Sequence, residues 1–481
     1  MQFPAPPEFV GVYEPSRVEA EVIDLVVDGE LPKEINGTYH QVGPDHAYPP
    51  MLGDDIFFNG DGVVTAFEFA EGRVNLKRRY VQTDRLLAQR REGRSLNGIY
   101  RNTFTNDPLA AANNSTANTT VLRHNDVLLA LKEDGLPYAL HPDTLETLGV
   151  WDFGGQVTSL TFTAHPKVDP RTGDLLCFAY EAKGVGTNDI VYYEIDREGK
   201  LKREVWFKAP YAAMIHDFAI TEHHVVFPLI PLTVDVERMK QGGPHFQWQP
   251  DLPQLFAVLP RHGGAKDVRW FTGPVDAFQG HTLNAFEENN VIYVDMPVTF
   301  GNVFYFFPPP DGMVPAPESL KSGLMRLTFD LNSDNSVVEM QPLAQFPCEF
   351  PRCDERYSGQ HYRHGFMLAV DPTLPYDAAT LGKPPFQFFN QLAHIDVATG
   401  QVATWFGGDA ECFQEPIFVP RSADAAEGDG YLMAVMNHLR TSSSELVILD
   451  TRDLANGPVA RVQVPFRLRM ALHGNWSPAS L

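Results

Sequence analysis

The chain has 481 residues, of which 43% are hydrophobic, and a formal net charge of −23. This charge argues against nucleic acids and anionic membranes as partners, because both attract basic proteins. The sequence has no apolar run of about 18 residues, no signal-peptide pattern at its N-terminus and only four cysteines. We therefore expect a cytoplasmic protein with free thiols that binds neither membrane nor nucleic acid.

Seven predicted β-hairpins divide the chain into repeats. Each has an alternating apolar strand, a turn rich in Asp and Gly, and a second strand. The hairpins begin at Thr65, Tyr138, Tyr192, Phe256, Leu327, His394 and Leu446. Their spacing of roughly 55–70 residues is long enough for a four-stranded blade with its loops. The sequence therefore predicts an all-β, seven-bladed β-propeller, and a large β-sandwich is the alternative.

Four longer segments between the hairpins are predicted to be insertions. They lie near residues 81–120, 234–253, 300–321 and 352–385, and the first includes a possible helix over 84–94. Insertions of a propeller gather on one face, where they form a ligand pocket. We expect residues 1–481 to form a single propeller domain with these segments as its cap.

Four histidines and three glutamates indicate a metal site. His165, His216, His281 and His473 each open a strand-like stretch early in a repeat, Glu349 and Glu415 take the same place in two other repeats, and Glu133 completes a set of one His or Glu per repeat. Four imidazoles suit a divalent transition metal such as iron, copper, nickel or zinc. Three glutamates could orient three of the histidines. The pairs His223–His224 and His361 with His364 are weaker candidates for metal binding.

Lys132 and Glu133 stand side by side at the end of the apolar run Leu128–Asp134. Adjacent residues on a strand point to opposite faces, so we expect these two side chains to have different roles. On local sequence alone, a strand that runs out into a solvated charged turn is the alternative.

The chain resembles the carotenoid cleavage oxygenases in motifs spread along nearly its whole length. These are Asn36-Gly-Thr-Tyr, Phe57-Phe-Asn-Gly-Asp-Gly, the four histidines in their contexts, Glu415-Pro-Ile-Phe-Val-Pro and Leu472-His-Gly-Asn-Trp. The resemblance implies a propeller with a cap (dome) of loops and short helices over the metal face. It also implies one Fe(II) per chain on the four histidines, supported by the three glutamates, and the insertion of both atoms of O₂ across a carbon–carbon double bond.

Within this family the chain is most similar to the stilbene-cleaving branch. Phe58, Tyr100 and Lys132 match the positions where that branch packs a phenylalanine on the stilbene and holds its 4-hydroxyl with a tyrosine and a lysine. Both donors stabilise a phenolate, which makes the central double bond electron-rich. Thr119 matches a threonine near an open iron position.

The resemblance therefore implies cleavage of the central double bond of 4-hydroxystilbenes, such as lignin-derived stilbenes or resveratrol, into two aromatic aldehydes. The expected partners are a phenolic stilbene and O₂, with a homodimer by analogy with the branch. The preference for ring substituents would depend on cap loops such as Phe300–Pro310. One alternative is a carotenoid or apocarotenoid cleavage dioxygenase, and a second is a metal-stabilised propeller that serves as a binding scaffold.

Overall fold

The computed structural model describes residues 2–316, 319–385 and 388–479. Strands in these residues form seven sheets of four to six strands and one separate two-stranded hairpin. The predicted all-β, seven-bladed β-propeller is therefore confirmed, and the β-sandwich alternative is wrong. We number the sheets as blades 1 to 7 and give the strands of each blade from the innermost outward.

The first three blades contain these strands. Blade 1 has Gly474–Pro478, Gly37–Pro44, Gly62–Ala70, Arg73–Tyr80 and Ala20–Val22. Blade 2 has Thr120–His124, Val127–Leu131, Tyr138–Leu140 and Thr147–Val150. Blade 3 has Lys167–Val168, Leu175–Ala179, Asp189–Ile195 and Leu201–Lys208.

The other four blades follow the same plan. Blade 4 has Ala219–Ile220, His224–Leu229, Pro253–Pro260 and Arg269–Val275. Blade 5 has the two short inner segments Ala277–Phe278 and Asn284–Glu288, then Val291–Phe300, Lys321–Asp330 and Glu339–Ala344. Blade 6 has Cys348–Cys353, His364–Ala369, Gln391–Asp396 and Gln401–Phe406. Blade 7 has Glu411–Phe413 and Ile417–Pro420 inside, then Gly430–His438, Ser443–Asp450, Pro458–Val464 and Val27–Gly29.

All seven predicted hairpins are the third and fourth strands of a blade. In the first of them, Glu71 and Gly72 connect the strands, and both have positive φ angles, of 52° and 75°. A two-residue turn with two positive φ angles matches the right-handed twist of its strands. In the fourth strand, Arg73–Tyr80, every second side chain is buried and the others are exposed or half-buried, because one face of this outer strand contacts water.

The two ends of the chain close the ring. The C-terminal strand Gly474–Pro478 pairs with Gly37–Pro44 to form the inner edge of blade 1. Near the N-terminus, Val27–Gly29 pairs with Pro458–Val464 at the outer edge of blade 7. Both contacts join the first repeat to the last, so the ring is held by two antiparallel pairings.

The hydrophobic core lies between neighbouring blades. Leu129 and Leu131 of blade 2, for example, pack with Cys177 and Val191 of blade 3, and all four are buried. Each such side chain stabilises the fold by about 1.5–3 kcal/mol when removed from water. Because every blade packs on both neighbours, the starts of the innermost strands are held in fixed positions around the axis.

Three of the predicted insertions lie on the face of the propeller where the innermost strands begin. Residues 81–120 contain the helix Asp84–Glu92, close to the prediction; the side chain of Thr83 caps its first turn, and Gly93, at a φ of 67°, ends it. Residues 234–253 contain the helix Val236–Lys240 and one strand of the separate hairpin, Leu232–Val234 with Phe246–Trp248. Residues 300–316 lack a helix, and residues 317–318 of this segment lie outside the described residues.

The fourth predicted insertion, 352–385, is wrong as a continuous segment. The strand His364–Ala369 divides it, and Cys353 pairs with Gly365 while Glu349 pairs with Leu368. Residues 354–363 therefore connect two strands at the end of blade 6 that is far from Glu349. The residues after Ala369, which include the helix Ala378–Leu381, lie at the opposite end, near Glu349. The sequence did not predict this strand because its buried residues do not alternate with exposed ones.

Two composition-based expectations concern the whole described chain. The cysteines at positions 177, 348, 353 and 412 are buried, unpaired thiols, as expected. None of the described helices has the length and apolar character needed to cross a membrane.

Candidate active site

Four histidine side chains meet where the inner strands of four blades begin. His165, His216 and His473 stand just before the innermost strands of blades 3, 4 and 1, and His281 lies between the two inner segments of blade 5. Their ligand-capable nitrogens all lie within 4.8 Å of one another. The Nε2 atom of His216 is 3.2 Å from that of His165 and 3.1 Å from that of His281. Two nitrogens bound at right angles to one ion, at about 2.1 Å each, would lie about 3 Å apart.

Three of the four rings contact a glutamate through Nδ1. The pairs are His216 with Glu133, His281 with Glu349 at 2.6 Å, and His473 with Glu415 at 2.8 Å. Each Nδ1–H donates to its carboxylate, so each Nε2 presents a lone pair to the centre of the cluster. The facing Nε2 lone pairs of His216 and His281 would repel one another unless a cation lies between them. The residues therefore fit a bound metal ion.

Burial and charge put His165, His473 and Glu133 into the protonation states that a metal site needs. Burial, together with the other three imidazoles, holds the pKa of His165 well below its ordinary value, and burial lowers the pKa of His473 to about 4. For His281, burial lowers the pKa but the contact with Glu349 outweighs it and raises the pKa. Burial would raise the pKa of Glu133, but its histidine partner and a nearby guanidinium bring it down to about 2. Neutral imidazoles and ionised carboxylates are the forms that bind and support a metal.

Glu133 reaches the cluster from a different part of its blade than the seven-repeat pattern predicts. It follows Val127–Leu131, the second strand of blade 2, whereas the innermost strand begins at Thr120. Thr119 thus occupies the position that a His or Glu occupies in the other six blades. Its backbone N–H donates to Leu131 O, and its carbonyl accepts from the N–H of His473 at 3.2 Å. Thr119 therefore lies beside the histidine cluster.

Lys132 and Tyr100, which are buried, lie together with the half-buried Phe58, and we call the group that these three side chains form the pocket. The Nζ atom of Lys132 is 5.1 Å from the centre of the Tyr100 ring, 6.0 Å from that of the Phe58 ring and 3.5 Å from Phe58 O. In the described chain, no carboxylate lies within ion-pair distance of this ammonium. Burial lowers the pKa of Lys132 to about 8 even though Asp134 and Glu133 favour its charge. Burial also raises the pKa of Tyr100 well above its ordinary value, so its hydroxyl stays a donor.

Lys132 and Glu133 have separate sets of partners, as expected for adjacent residues at a strand end. Lys132 contacts the rings of the pocket, and Glu133 contacts His216. Both side chains are buried, so the alternative of a solvated charged turn is wrong. The pocket and the histidine cluster are therefore connected by a single peptide bond.

Aromatic residues of the insertion 300–316 form one wall of the pocket. The ring of Phe58 is 5.9 Å from that of Phe304 and 5.7 Å from that of Phe306, and the ring of Tyr100 is 5.9 Å from that of Phe307. The sequence pointed to the loop Phe300–Pro310 but not to these residues. The run Phe304-Tyr-Phe-Phe was the available signal.

The weaker histidine candidates lie apart from this cluster. The Nδ1 atoms of His223 and His224 each lie 2.6 Å from the carboxylate of Glu287. His364 contacts His394 at 2.9 Å, and His361 packs on a phenylalanine ring. Within the described residues, the four-histidine cluster is the group found with metal-ligand spacing.

Comparisons with known proteins agree on one family. The family model described as retinal pigment epithelial membrane protein matches residues 13–478. The chain is 45% identical to resveratrol cleavage oxygenase 1 of Aspergillus fumigatus, over 98% of this chain and 96% of that one. It is 43% identical to lignostilbene-alpha,beta-dioxygenase isozyme III of Sphingomonas paucimobilis, over 99% and 98%. The crystal structure of Pseudomonas brassicacearum lignostilbene dioxygenase matches with a TM-score of 0.99 and 67% identity, over 100% of both chains.

Proposed function

Since this chain belongs to the carotenoid oxygenase family, that of the retinal pigment epithelial membrane protein, we propose that it is a non-haem Fe(II) dioxygenase that cleaves the central double bond of 4-hydroxystilbenes into two aromatic aldehydes. One observation carries the substrate class. A buried ammonium without an ion-pair partner in the described chain, Lys132, faces the Tyr100 ring beside the histidine cluster. The similarity to proteins named for stilbene cleavage supports the same class.

The four histidines would hold Fe(II), with Glu133, Glu349 and Glu415 keeping the Nδ1 protons of three of them in place. When bound, the ferrous ion supplies the binding and activation of dioxygen beside the alkene. Redox-inert zinc would normally take fewer histidines and activate water instead. Thr119, whose carbonyl accepts from the N–H of His473, would limit access to an open coordination position.

Lys132 and Tyr100 would hold the 4-hydroxyl of the substrate, and Phe58 would pack on its ring. An ordinary phenol has a pKa of about 10, and a neighbouring ammonium favours its ionised form. The phenolate sends electron density through the conjugated system to the central double bond, which makes this bond easier to oxidise. The chain thus activates the alkene from the far end of the substrate, through a proton equilibrium beside the buried ammonium of Lys132.

Neither alternative accounts for this pocket. A carotenoid or apocarotenoid is an apolar polyene, and it offers no group to offset the cost of burying the ammonium of Lys132. A binding scaffold with a structural metal requires neither the unpaired ammonium nor three glutamates behind the histidines.

The test is aerobic incubation of the Fe(II)-loaded protein with three compounds: a 4-hydroxystilbene, its 4-methoxy analogue and an apocarotenoid. We expect oxygen uptake and two aldehydes from the phenol, and much slower cleavage of the methoxy compound, which cannot ionise. Equal rates for the phenol and the methoxy compound would contradict the phenolate role. Preferred cleavage of the apocarotenoid would favour the first alternative, and no oxygen uptake with any compound would favour the scaffold.

A further inference from the structure

Arg101 lies where the cap meets the histidine cluster. Its Nη1 donates to Glu133 Oε2 at 3.2 Å and to the hydroxyl of Tyr180 at 2.6 Å, and its Nη2 donates to Glu181 Oε2 at 2.8 Å. The hydroxyl of Tyr180 in turn donates to Glu133 Oε2 at 2.5 Å. The guanidinium is buried and lies over the ring of Phe246 at 5.1 Å. A planar guanidinium has a fixed fork of donors, so it holds these acceptors in one arrangement.

Two pairs of adjacent residues face one another across this region. Tyr100 contacts Lys132, and Arg101 contacts Glu133. Each pair therefore gives one residue to the pocket of Lys132, Tyr100 and Phe58, which we call the phenol pocket, and one to the support of the histidine cluster. Arg101 has a φ angle of 55°, in the left-handed region that non-glycine residues rarely adopt. Backbone strain of this kind persists only where the surroundings require it.

The same arginine connects two insertions of the cap. Glu181, which accepts from Arg101, also contacts Nε2 of His245 at 2.9 Å, in the insertion 234–253. The next residue after Arg101, Asn102, donates to the carbonyl of Met239 in the same insertion at 2.8 Å. Movement of the cap at this point would therefore be transmitted to Arg101.

Among the residues that the structure describes, the other two glutamates have no such connection. Nη1 of Arg352 lies 3.7 Å from Oε1 of Glu415, and Oε2 of Glu415 accepts from the N–H of Gly474 at 2.8 Å. Glu349 accepts from the N–H of the residue that follows it. In the described chain, neither contacts a residue of the phenol pocket, so Glu133 is the glutamate through which that pocket reaches the histidines.

We propose that Arg101 is a positioning residue that couples occupancy of the phenol pocket to the metal centre through Glu133 and His216. This inference rests on the proposed function, because it takes Tyr100 and Lys132 as the residues that hold the phenol. When Tyr100 turns to bind a phenol, the backbone it shares with Arg101 moves the guanidinium, and Glu133 and the ring of His216 follow. Such coupling is reciprocal: a phenol in the pocket tightens metal binding as much as the metal tightens phenol binding.

The test measures the Co(II) affinity of the full-length protein by competition with a chelator, with Co(II) as a stand-in for Fe(II). The probes are 4-hydroxybibenzyl and 4-methoxybibenzyl, in which a single bond replaces the central double bond of the stilbene, so they cannot be cleaved. Each probe is added at a concentration that fills its binding site. For the unmodified protein, we expect Co(II) to bind at least about fivefold more tightly with the phenol than with the methoxy probe. The d–d absorption of bound Co(II) should also differ between the two complexes.

Substitution of Arg101 should remove this difference. In Arg101→Met, we expect the Co(II) affinities with the two probes to agree within about twofold, with both probes still bound. Arg101→Lys keeps a buried positive charge but lacks the fork, so it should reduce the difference as well, and it decides the question if the methionine variant does not fold. The matched control is Arg352→Met, which removes the arginine beside Glu415. This control should weaken Co(II) binding with either probe and keep the difference between the probes.

The inference is overturned if both Arg101 variants keep the full difference, or if the unmodified protein shows none. It is also overturned if Arg352→Met abolishes the difference as Arg101→Met does, because the coupling would then not depend on Glu133 in particular. Failure of the proposed function is recognised separately, by the absence of aldehydes from a 4-hydroxystilbene with the Fe(II)-loaded protein.

Discussion

Replacing Lys132 with methionine should make the fold more stable at neutral pH while it removes cleavage of 4-hydroxystilbenes. Burial lowers the pKa of Lys132 from 10.5 to about 8, which means that the folded state disfavours the ammonium. A tenfold change in a proton equilibrium corresponds to about 1.4 kcal/mol, so the buried charge destabilises the folded state by about 3 kcal/mol at pH 7. Methionine fills a similar volume without a charge. The variant should therefore gain up to about 3 kcal/mol.

The sign of the pH dependence follows from proton binding. Between pH 8 and 10.5 the unfolded state still holds the Lys132 proton that the folded state has lost, so the stability of the unmodified protein rises with pH in this window. Between pH 7 and pH 9.5 the unmodified protein should gain about 2 kcal/mol relative to Lys132→Met. Below about pH 8 the advantage of the variant should be at its full size.

Equilibrium urea unfolding of both proteins at pH 7 and pH 9.5, followed by tryptophan fluorescence, measures the difference. The exposed Lys33 offers a control: Lys33→Met should leave the pH dependence of the unfolding free energy as it is in the unmodified protein. The reasoning is refuted if the free-energy difference between Lys132→Met and the unmodified protein is the same at both pH values. It is also refuted if the variant is less stable at pH 7.

Three further predictions concern the metal and the substrate. With a 4-hydroxystilbene, kcat/KM should fall as pH rises through about 8, where Lys132 loses its proton, and a pH–rate profile of Lys132→Arg should show this fall shifted to higher pH. His281→Ala should lose the metal, and Glu349→Gln should bind it about 10–100-fold more weakly, as measured by metal analysis after dialysis. Phe304→Ala, which removes a ring packed on Phe58, should raise KM for a 4-hydroxystilbene more than it lowers kcat, because the ring contributes to binding throughout the reaction. An unchanged KM in that variant would mean that the aromatic wall does not contact the substrate.

Local patterns in the sequence were sufficient for the outer half of each blade. The third and fourth strands are joined by polar turns, many of them with Asp or Gly, and in fourth strands such as Arg73–Tyr80 buried residues alternate with more exposed ones, so all seven hairpins could be located. The innermost strands left weaker signals. Lys167–Val168 and Ala219–Ile220 are two residues long, too short to show an alternating pattern, and their positions depend on packing between neighbouring blades. The strand His364–Ala369 was missed because its buried residues do not alternate.

The candidate site divides in the same way. The four histidines and two of the glutamates could be predicted from the sequence, because each precedes or opens an inner strand and has a local motif around it. Glu133 was also expected beside the histidines, and it contacts His216 although it follows the second strand of its blade and not the innermost one. Arg101 and Tyr180 left no signal, because their contacts with Glu133 join residues 32 and 47 positions apart. They meet only when the insertion 81–120 packs on blades 2 and 3.

The two dipeptides Tyr100–Arg101 and Lys132–Glu133 suggest why phenol recognition and metal support stand so close together. Each dipeptide contributes one residue to each task, so the spacing between the phenol pocket and the histidine cluster is set by covalent bonds rather than by loop positions. A shift of either dipeptide by one residue would exchange the groups that face the pocket and the cluster. The aromatic wall, in contrast, comes from the insertion 300–316 and contacts the pocket through ring packing alone. Changes in that wall can therefore alter which rings are accepted without disturbing the distance between the phenol and the metal.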